Sequence, residues 1–123
     1  MRKQLICIAA LVSVSSSAVA APDANRGRRL FIQCQACHSL APGAPHKIGP
    51  NLYGVVNAKA GAQRGYNYSP AFKKAAIKWD DATLHRFLAK PSAVVPGTKM
   101  VYSGLANAAD RQQIIDYMKR PAR

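Results

Sequence analysis

"FIQCQACHSL", Phe31 to Leu40, sets two cysteines three positions apart with a histidine directly after the second. Three chemistries use such a pattern: a dithiol switch, half of a zinc site, or attachment of a haem. The rest of the chain discriminates among them. A structural zinc site needs four Cys or His ligands, usually in two pairs; no second Cys-x-x-Cys follows, and His46 and His85 are not spaced as a pair. A thioredoxin-like switch carries its cysteines at a helix N-terminus beside a βαβ pattern. Here a helical stretch precedes the motif, and no segment alternates apolar and polar residues with period two. Haem attachment remains.

The spacing suits that chemistry. Two thiols on one turn of backbone can add across the two vinyl groups of one porphyrin, so Cys34 and Cys37 would carry the thioethers. The next residue, His38, is then brought under the iron, where an imidazole nitrogen serves as the fifth ligand. The sixth position decides the use: open, it binds gases or peroxide; filled, it leaves only electron transfer. Met118 lies on an apolar helix face beside Tyr117 and reads as core filler. Met100 ends "VVPGTKM", a Pro-Gly loop that stops helical propagation and can hold a thioether toward a metal. With the cysteine motif present, Met100 reads as the sixth ligand.

The N-terminus, "MRKQLICIAALVSVSSSAVA", has a basic start, an apolar run from Leu5 to Val14 and small residues ending Ala18-Val19-Ala20. This is the pattern of a secretory signal, residues 1–20, cut before Ala21. The apolar run is shorter than the roughly 20 residues a membrane span needs, and Cys7 would leave with the peptide. Residues 21–123 then form a single exported domain, periplasmic in a bacterium, with two cysteines in an oxidising compartment. A domain this short gains from a large apolar group at its centre.

The formal charge is +13, with five acidic residues, all Asp. Long-range attraction toward acidic surfaces follows, and it is salt-sensitive. The basic residues are scattered singly or in pairs, without the aromatic interleaving of a single-strand binder or a helix-turn-helix pattern, so nucleic acid is excluded as a partner.

Helix signals divide the chain. The first helix opens near Asp23 or Asn25 and runs through "RGRRLFIQ" into the motif. Ser69 caps a short helix with Pro70 at its first position. "DDATLHRFLAKP" starts at Asp80 or Asp81, presents Leu84, Phe87 and Leu88 on one face, and is stopped by Pro91. The last helix begins near Asn107 and sets Ile114, Tyr117 and Met118 together. Leu40 to Ala62 is Gly- and Pro-rich loop. The loops carry surplus apolar residues, Val55, Val56, Val94, Val95 and Val101, which a haem would cover. The fold class is all-α, three main helices plus short helices and loops around one haem.

"CQACH", "HKIGPNLYG", "KAG", "YNYSP", Trp79, "TLHRFLAKP", "VPGTKM" and "ADRQQIIDYMK" together resemble a class I c-type cytochrome, more closely the soluble bacterial relatives of mitochondrial cytochrome c. The resemblance runs from about Asn25 to Lys119. It implies one haem c bound through Cys34 and Cys37, with His38 and Met100 as axial ligands. It implies that the Pro50 carbonyl takes the proton-bearing nitrogen of His38. It further implies that Tyr68 and Trp79 donate hydrogen bonds to an inner haem propionate, that Thr98 also contacts a propionate, and that His46 ties two loops together. Gly27 and Tyr117 would mark the crossing of the terminal helices, and His85 would be a solvated helix residue.

Departures from the family pattern bear on tuning and docking. Phe87 stands where many relatives have a Tyr, and Ala58 where an Arg often faces a propionate. Arg29, Lys47 and Lys99 match part of the lysine ring around the haem edge, but Ser92, Ala93, Ala106 and Asn107 occupy other ring positions. Docking would then be steered by overall charge and seated on an apolar patch near Ala93–Val95 and Ala106. The implied function is a mono-haem electron carrier rather than an enzyme, cycling Fe(II)/Fe(III) between larger membrane or periplasmic redox complexes with acidic docking surfaces, as a monomer. The alternative is a haem enzyme or gas sensor in which Met100 is displaced.

Overall fold

The computed structural model describes residues 23–121. The expected signal segment, residues 1–20, lies outside them. Five helices follow in order: α1 (Ala24–Gln35), α2 (Pro70–Lys74), α3 (Asp81–Ala89), α4 (Pro91–Val94) and α5 (Ala108–Lys119). Among the described residues the only β pairing is an isolated antiparallel bridge between Lys59 and Lys78. The all-α class stands.

Each longer helix starts on a side chain that satisfies an otherwise orphaned N–H. Asp23 accepts from the Asn25 N–H at 3.0 Å, Asp80 from Thr83 at 2.8 Å and Asn107 from Asp110 at 3.0 Å. Ser69 does the same for α2, with Pro70 at its first position. Pro91 acts differently from a simple stop. It ends α3 at Ala89, with Lys90 as cap, and opens α4, because a proline lacks only the N–H that a first-turn residue leaves unused.

The Asp80 cap gives an acid-dependent stability. The Thr83 N–H holds the Asp80 carboxyl below its ordinary range. A carboxyl depressed in the fold contributes fully above its unfolded value of about 3.9 and loses that contribution as pH falls through the folded value. Asp80→Ala is therefore expected to be less stable than the parent at neutral pH, with the gap closing under strong acid. Urea unfolding of both proteins across that range checks it.

The terminal helices cross at Gly27. A Cβ there would lie 2.5 Å from the Gln113 carbonyl oxygen and 2.8 Å from the Tyr117 Cβ, so the absence of a side chain lets the backbones meet. Phe31 stacks obliquely on Tyr117 at 5.5 Å between ring centroids, and Arg26 Nε donates to Asp110 at 3.1 Å across the same crossing. Ile114, Tyr117 and Met118 are buried as the helical spacing predicts. Ile115 is buried as well, because both α1 and α3 pack against α5 and widen its apolar face.

α3 contributes Leu84, Phe87 and Leu88 to this core. His85 departs from expectation. It is half-buried, and its ring Nε2 lies 2.7 Å from Gln112 Oε1 on α5. Gln112 in turn donates to Asp116 at 2.9 Å, which makes the His85 nitrogen the donor to the amide oxygen. His85 thus joins α3 to α5 rather than standing free in solvent, since the two helices pack along that edge.

Candidate haem-binding site

α1 delivers the cysteine motif. Cys34 lies within its last turn, and the Cys37 and His38 N–H groups both donate to the Cys34 carbonyl, at 3.1 and 2.9 Å. This tight turn swings His38 from the helix end into the interior, where it is 8% exposed. Cys34 and Cys37 are free thiols, each partly buried. Burial, then the neighbouring Cys37, pushes the Cys34 thiol up to about 11.

Three features fix the His38 ring. Its Nδ1 lies 2.7 Å from the Pro50 carbonyl oxygen. A carbonyl only accepts, so Nδ1 carries the proton and Nε2 keeps its lone pair. Burial, partly opposed by the Pro50 bond and aided by nearby Lys47, lowers the imidazole pKa; the neutral form persists to lower pH, and only that form ligates a metal. Gly49 completes the cradle. A Cβ there would sit 2.6 Å from Nδ1 and 2.8 Å from Nε2, inside the ring's own space.

The loop holding Pro50 is tied from several sides. The Gly49 N–H donates to the Cys37 carbonyl at 2.7 Å. Asn51, buried, donates to the Ala41 and Ala44 carbonyls at 2.8 and 3.0 Å, and its amide oxygen accepts from the Tyr53 N–H at 2.9 Å. His46 joins two loops, as the resemblance implied. Its Nδ1 accepts from the Asn51 N–H at 3.0 Å, and its Nε2 donates to the Arg64 carbonyl at 2.8 Å. Gly49 and Asn51 escaped the sequence reading as site residues; their position on either side of Pro50 is the one signal that pointed to them.

Tyr68 and Trp79 enter one aromatic cluster through Phe72, with centroids at 5.9 Å from Tyr68 and 6.1 Å from Trp79. Phe87 closes it, 4.8 Å from Trp79. The Tyr68 hydroxyl oxygen accepts from the Gln63 N–H at 3.2 Å, which leaves its proton available to another acceptor. Thr98 and Met100 share one turn: the Met100 N–H donates to Thr98 Oγ1 at 3.2 Å, and the partly buried Met100 packs against the core. Lys99 points the other way, donating to the Asn67 carbonyl at 2.5 Å and lying 5.1 Å from the centre of the Tyr66 ring.

The expected docking patch needs correction. Val95 is 2% exposed and belongs to the core, because α4 turns it inward against α3; Ala93 and Ala106 remain at the surface. The large apolar side chains most exposed among the described residues are instead Ile48, at 79%, and the fully exposed Val101, with Ile32 and Tyr53 exposed to a lesser degree. Ile48 and Val101 are both anchored near the cysteine motif. Lys47 donates to the Gln35 carbonyl, and the Tyr102 hydroxyl to Gln33 Oε1 at 3.3 Å.

A turn that offers two thiols and a ring held in the tautomer that frees Nε2 are donors that fit covalently bound haem. The family profile for cytochrome c matches residues 24–120. The chain belongs to the cytochrome c family. This cytochrome is 44% identical to cytochrome c2 of Rhodomicrobium vannielii over 94% of its own length and 92% of that relative. It is 37% identical to cytochrome c-554 of Methylosinus trichosporium, with 90% and 84% covered. Among solved structures it is similar to cytochrome cH from Methylobacterium extorquens, at 44% identity and a TM-score of 0.74, covering 79% of this chain and 97% of that one. It is therefore an electron-transfer protein with haem c, not an enzyme with its own substrate.

Proposed function

We propose that the chain is a periplasmic carrier with one haem c, moving single electrons between larger membrane or soluble redox complexes. In this reading residues 1–20 are the cleaved export signal and residues 21–123 the working domain. Cys34 and Cys37 would form the thioethers, and His38 Nε2 and the Met100 sulfur would be the ligands to iron. The observation that carries it is the 2.7 Å bond between His38 Nδ1 and the Pro50 carbonyl, which leaves Nε2 as a ready donor. Bound haem c supplies one-electron Fe(II)/Fe(III) chemistry.

The chain's own residues supply the rest. Pro50 and Gly49 hold the imidazole plane. Thr98 fixes the backbone of the Met100 loop. The free proton of Tyr68, the Trp79 indole and the Thr98 hydroxyl serve as donors to the haem carboxylates, which are costly to bury without partners. Phe87 adds no hydroxyl near the thioether and Ala58 no charge near a carboxylate, so both leave the potential to be set by the remaining donors. Partners with acidic faces are drawn by the net positive charge and seated against Ile48 and Val101, the two most exposed of the large apolar side chains near the motif. The working unit is a monomer.

Carbon monoxide added to the reduced protein, and cyanide to the oxidised protein, test whether both axial sites are filled. At neutral pH the visible spectrum should stay unchanged through the mixing time in both cases. Rapid uptake of either ligand would instead favour a haem enzyme or gas sensor in which Met100 leaves the iron.

A further inference from the structure

The loop that carries Met100 has little backbone support. The Thr98 N–H donates to the Val95 carbonyl at 3.0 Å, and the Leu105 N–H to the Leu88 carbonyl at 2.8 Å. Between these two anchors, among the described residues, residues 99–104 make no backbone–backbone hydrogen bond. Exposure alternates along the stretch: Lys99, Val101 and Ser103 are exposed, whereas Met100, Tyr102 and Gly104 are partly buried. A period of two is that of extended backbone, which turns residues 100 and 102 to the same side. Whatever holds Tyr102 therefore also holds Met100.

Side chains supply the missing ties, and they lead to different places. The Met100 N–H stays within the loop on Thr98 Oγ1, and Lys99 reaches the Asn67 carbonyl. Tyr102 reaches the cysteine turn. Its hydroxyl donates to Gln33 Oε1 at 3.3 Å, on the residue directly before Cys34. The direction of this bond is fixed by a second one. Gln33 Nε2 donates to the Leu30 carbonyl at 3.0 Å, one turn back on α1, and a carbonyl only accepts. The amide oxygen is thereby left facing Tyr102, and the hydroxyl is the donor. A segment without backbone bonds, closed at its edge by side chains, lies at the low-stability end of a fold and opens before the core does.

We propose that Tyr102 and Gln33 form a clasp that closes the Met100 loop onto the cysteine turn and restricts displacement of Met100 by small ligands. The proposal rests on the reading of Met100 as the sixth ligand. Tyr102 is a positioning residue, acting through the short backbone that joins it to residue 100. Its hydroxyl carries the effect, since a phenylalanine would keep the ring and lose only the bond to Gln33.

The test is the affinity of the purified, oxidised, haem-loaded protein for imidazole, read from the visible spectrum. A ligand that needs the open loop binds with an affinity reduced by the open fraction. One hydrogen bond changes that fraction by roughly 2- to 12-fold. Tyr102→Phe and Gln33→Leu should each bind imidazole more tightly than the parent by about that factor. The double variant should gain no more than either single one, because both remove the same bond. Gln33→Glu keeps an acceptor oxygen and should stay at the parental affinity, as should Tyr53→Phe, which removes a hydroxyl from another exposed loop. Parental affinity in Tyr102→Phe, or gains that multiply in the double variant, overturns the clasp while leaving Met100 on the iron. A parent whose spectrum shows an open sixth position before imidazole is added overturns the ligand reading itself, and the clasp with it.

Discussion

Met100→Ala should open the iron. The oxidised variant is expected to take up cyanide within the mixing time, and its midpoint potential should fall by on the order of 0.1–0.3 V, since axial-ligand identity spans about 0.8 V among haem proteins and a Met/His pair lies toward the high end. The structure leaves few substitutes for the lost sulfur. Met118 is 5% exposed in the core with Ile114 and Phe31, on a helix locked to α1 at Gly27. Lys99, though adjacent, is drawn to the Asn67 carbonyl and the Tyr66 ring. Met118→Leu therefore serves as the control: its ligand binding and potential should match the parent. Stopped-flow cyanide binding and a spectroelectrochemical titration decide the matter. A Met100→Ala protein that behaves like the parent in both would remove Met100 from the iron.

The second large effect falls on stability, at a residue with no chemistry of its own. Gly104 has φ +111°, a conformation L side chains rarely adopt, and a Cβ there would lie 2.7 Å from the Ala89 carbonyl carbon and 3.4 Å from the Leu88 oxygen. Both are backbone atoms at the end of α3, so no side chain can swing aside. The neighbouring Leu105 N–H donates to the Leu88 carbonyl at 2.8 Å and pins the loop there. Strain and collision together should make Gly104→Ala less stable by about 3 kcal/mol or more, a fall in Tm of roughly 12–24 °C for a domain of this size. Gly97 supplies the comparison. It also has a positive φ, +83°, but the nearest atom to a Cβ is the Ala71 methyl at 3.5 Å, an ordinary contact. Gly97→Ala should therefore carry the conformational strain alone, about 1 kcal/mol. Equal losses in the two variants would show that the approach to α3 is looser than the geometry says.

Much of this molecule is written locally. The spacing of Cys34, Cys37 and His38 narrowed the chemistry to three kinds and the rest of the chain left haem attachment, because one turn of backbone suffices to place two thiols and an imidazole. The helix starts at Ser69 and Asn107 were legible and those at Asp23 and Asp80 were narrowed to two residues each, since a cap is a contact between residues two or three apart. What the sequence left undecided concerns residues whose surroundings come from distant segments. Val95 and Val101 look alike in a list of apolar loop residues, yet one is buried and the other fully exposed. His85 reads as a surface residue until α5 brings Gln112 beside it. Gly49 and Gly104 are ordinary loop glycines until the His38 ring and the end of α3 close on them. The sequence by itself determined the helices and the turn of backbone that presents Cys34, Cys37 and His38, because both depend on neighbours along the chain. Only the tertiary structure decided which loop residues are walls, which are surface and which must lack a side chain, because close packing between remote segments sets those distances.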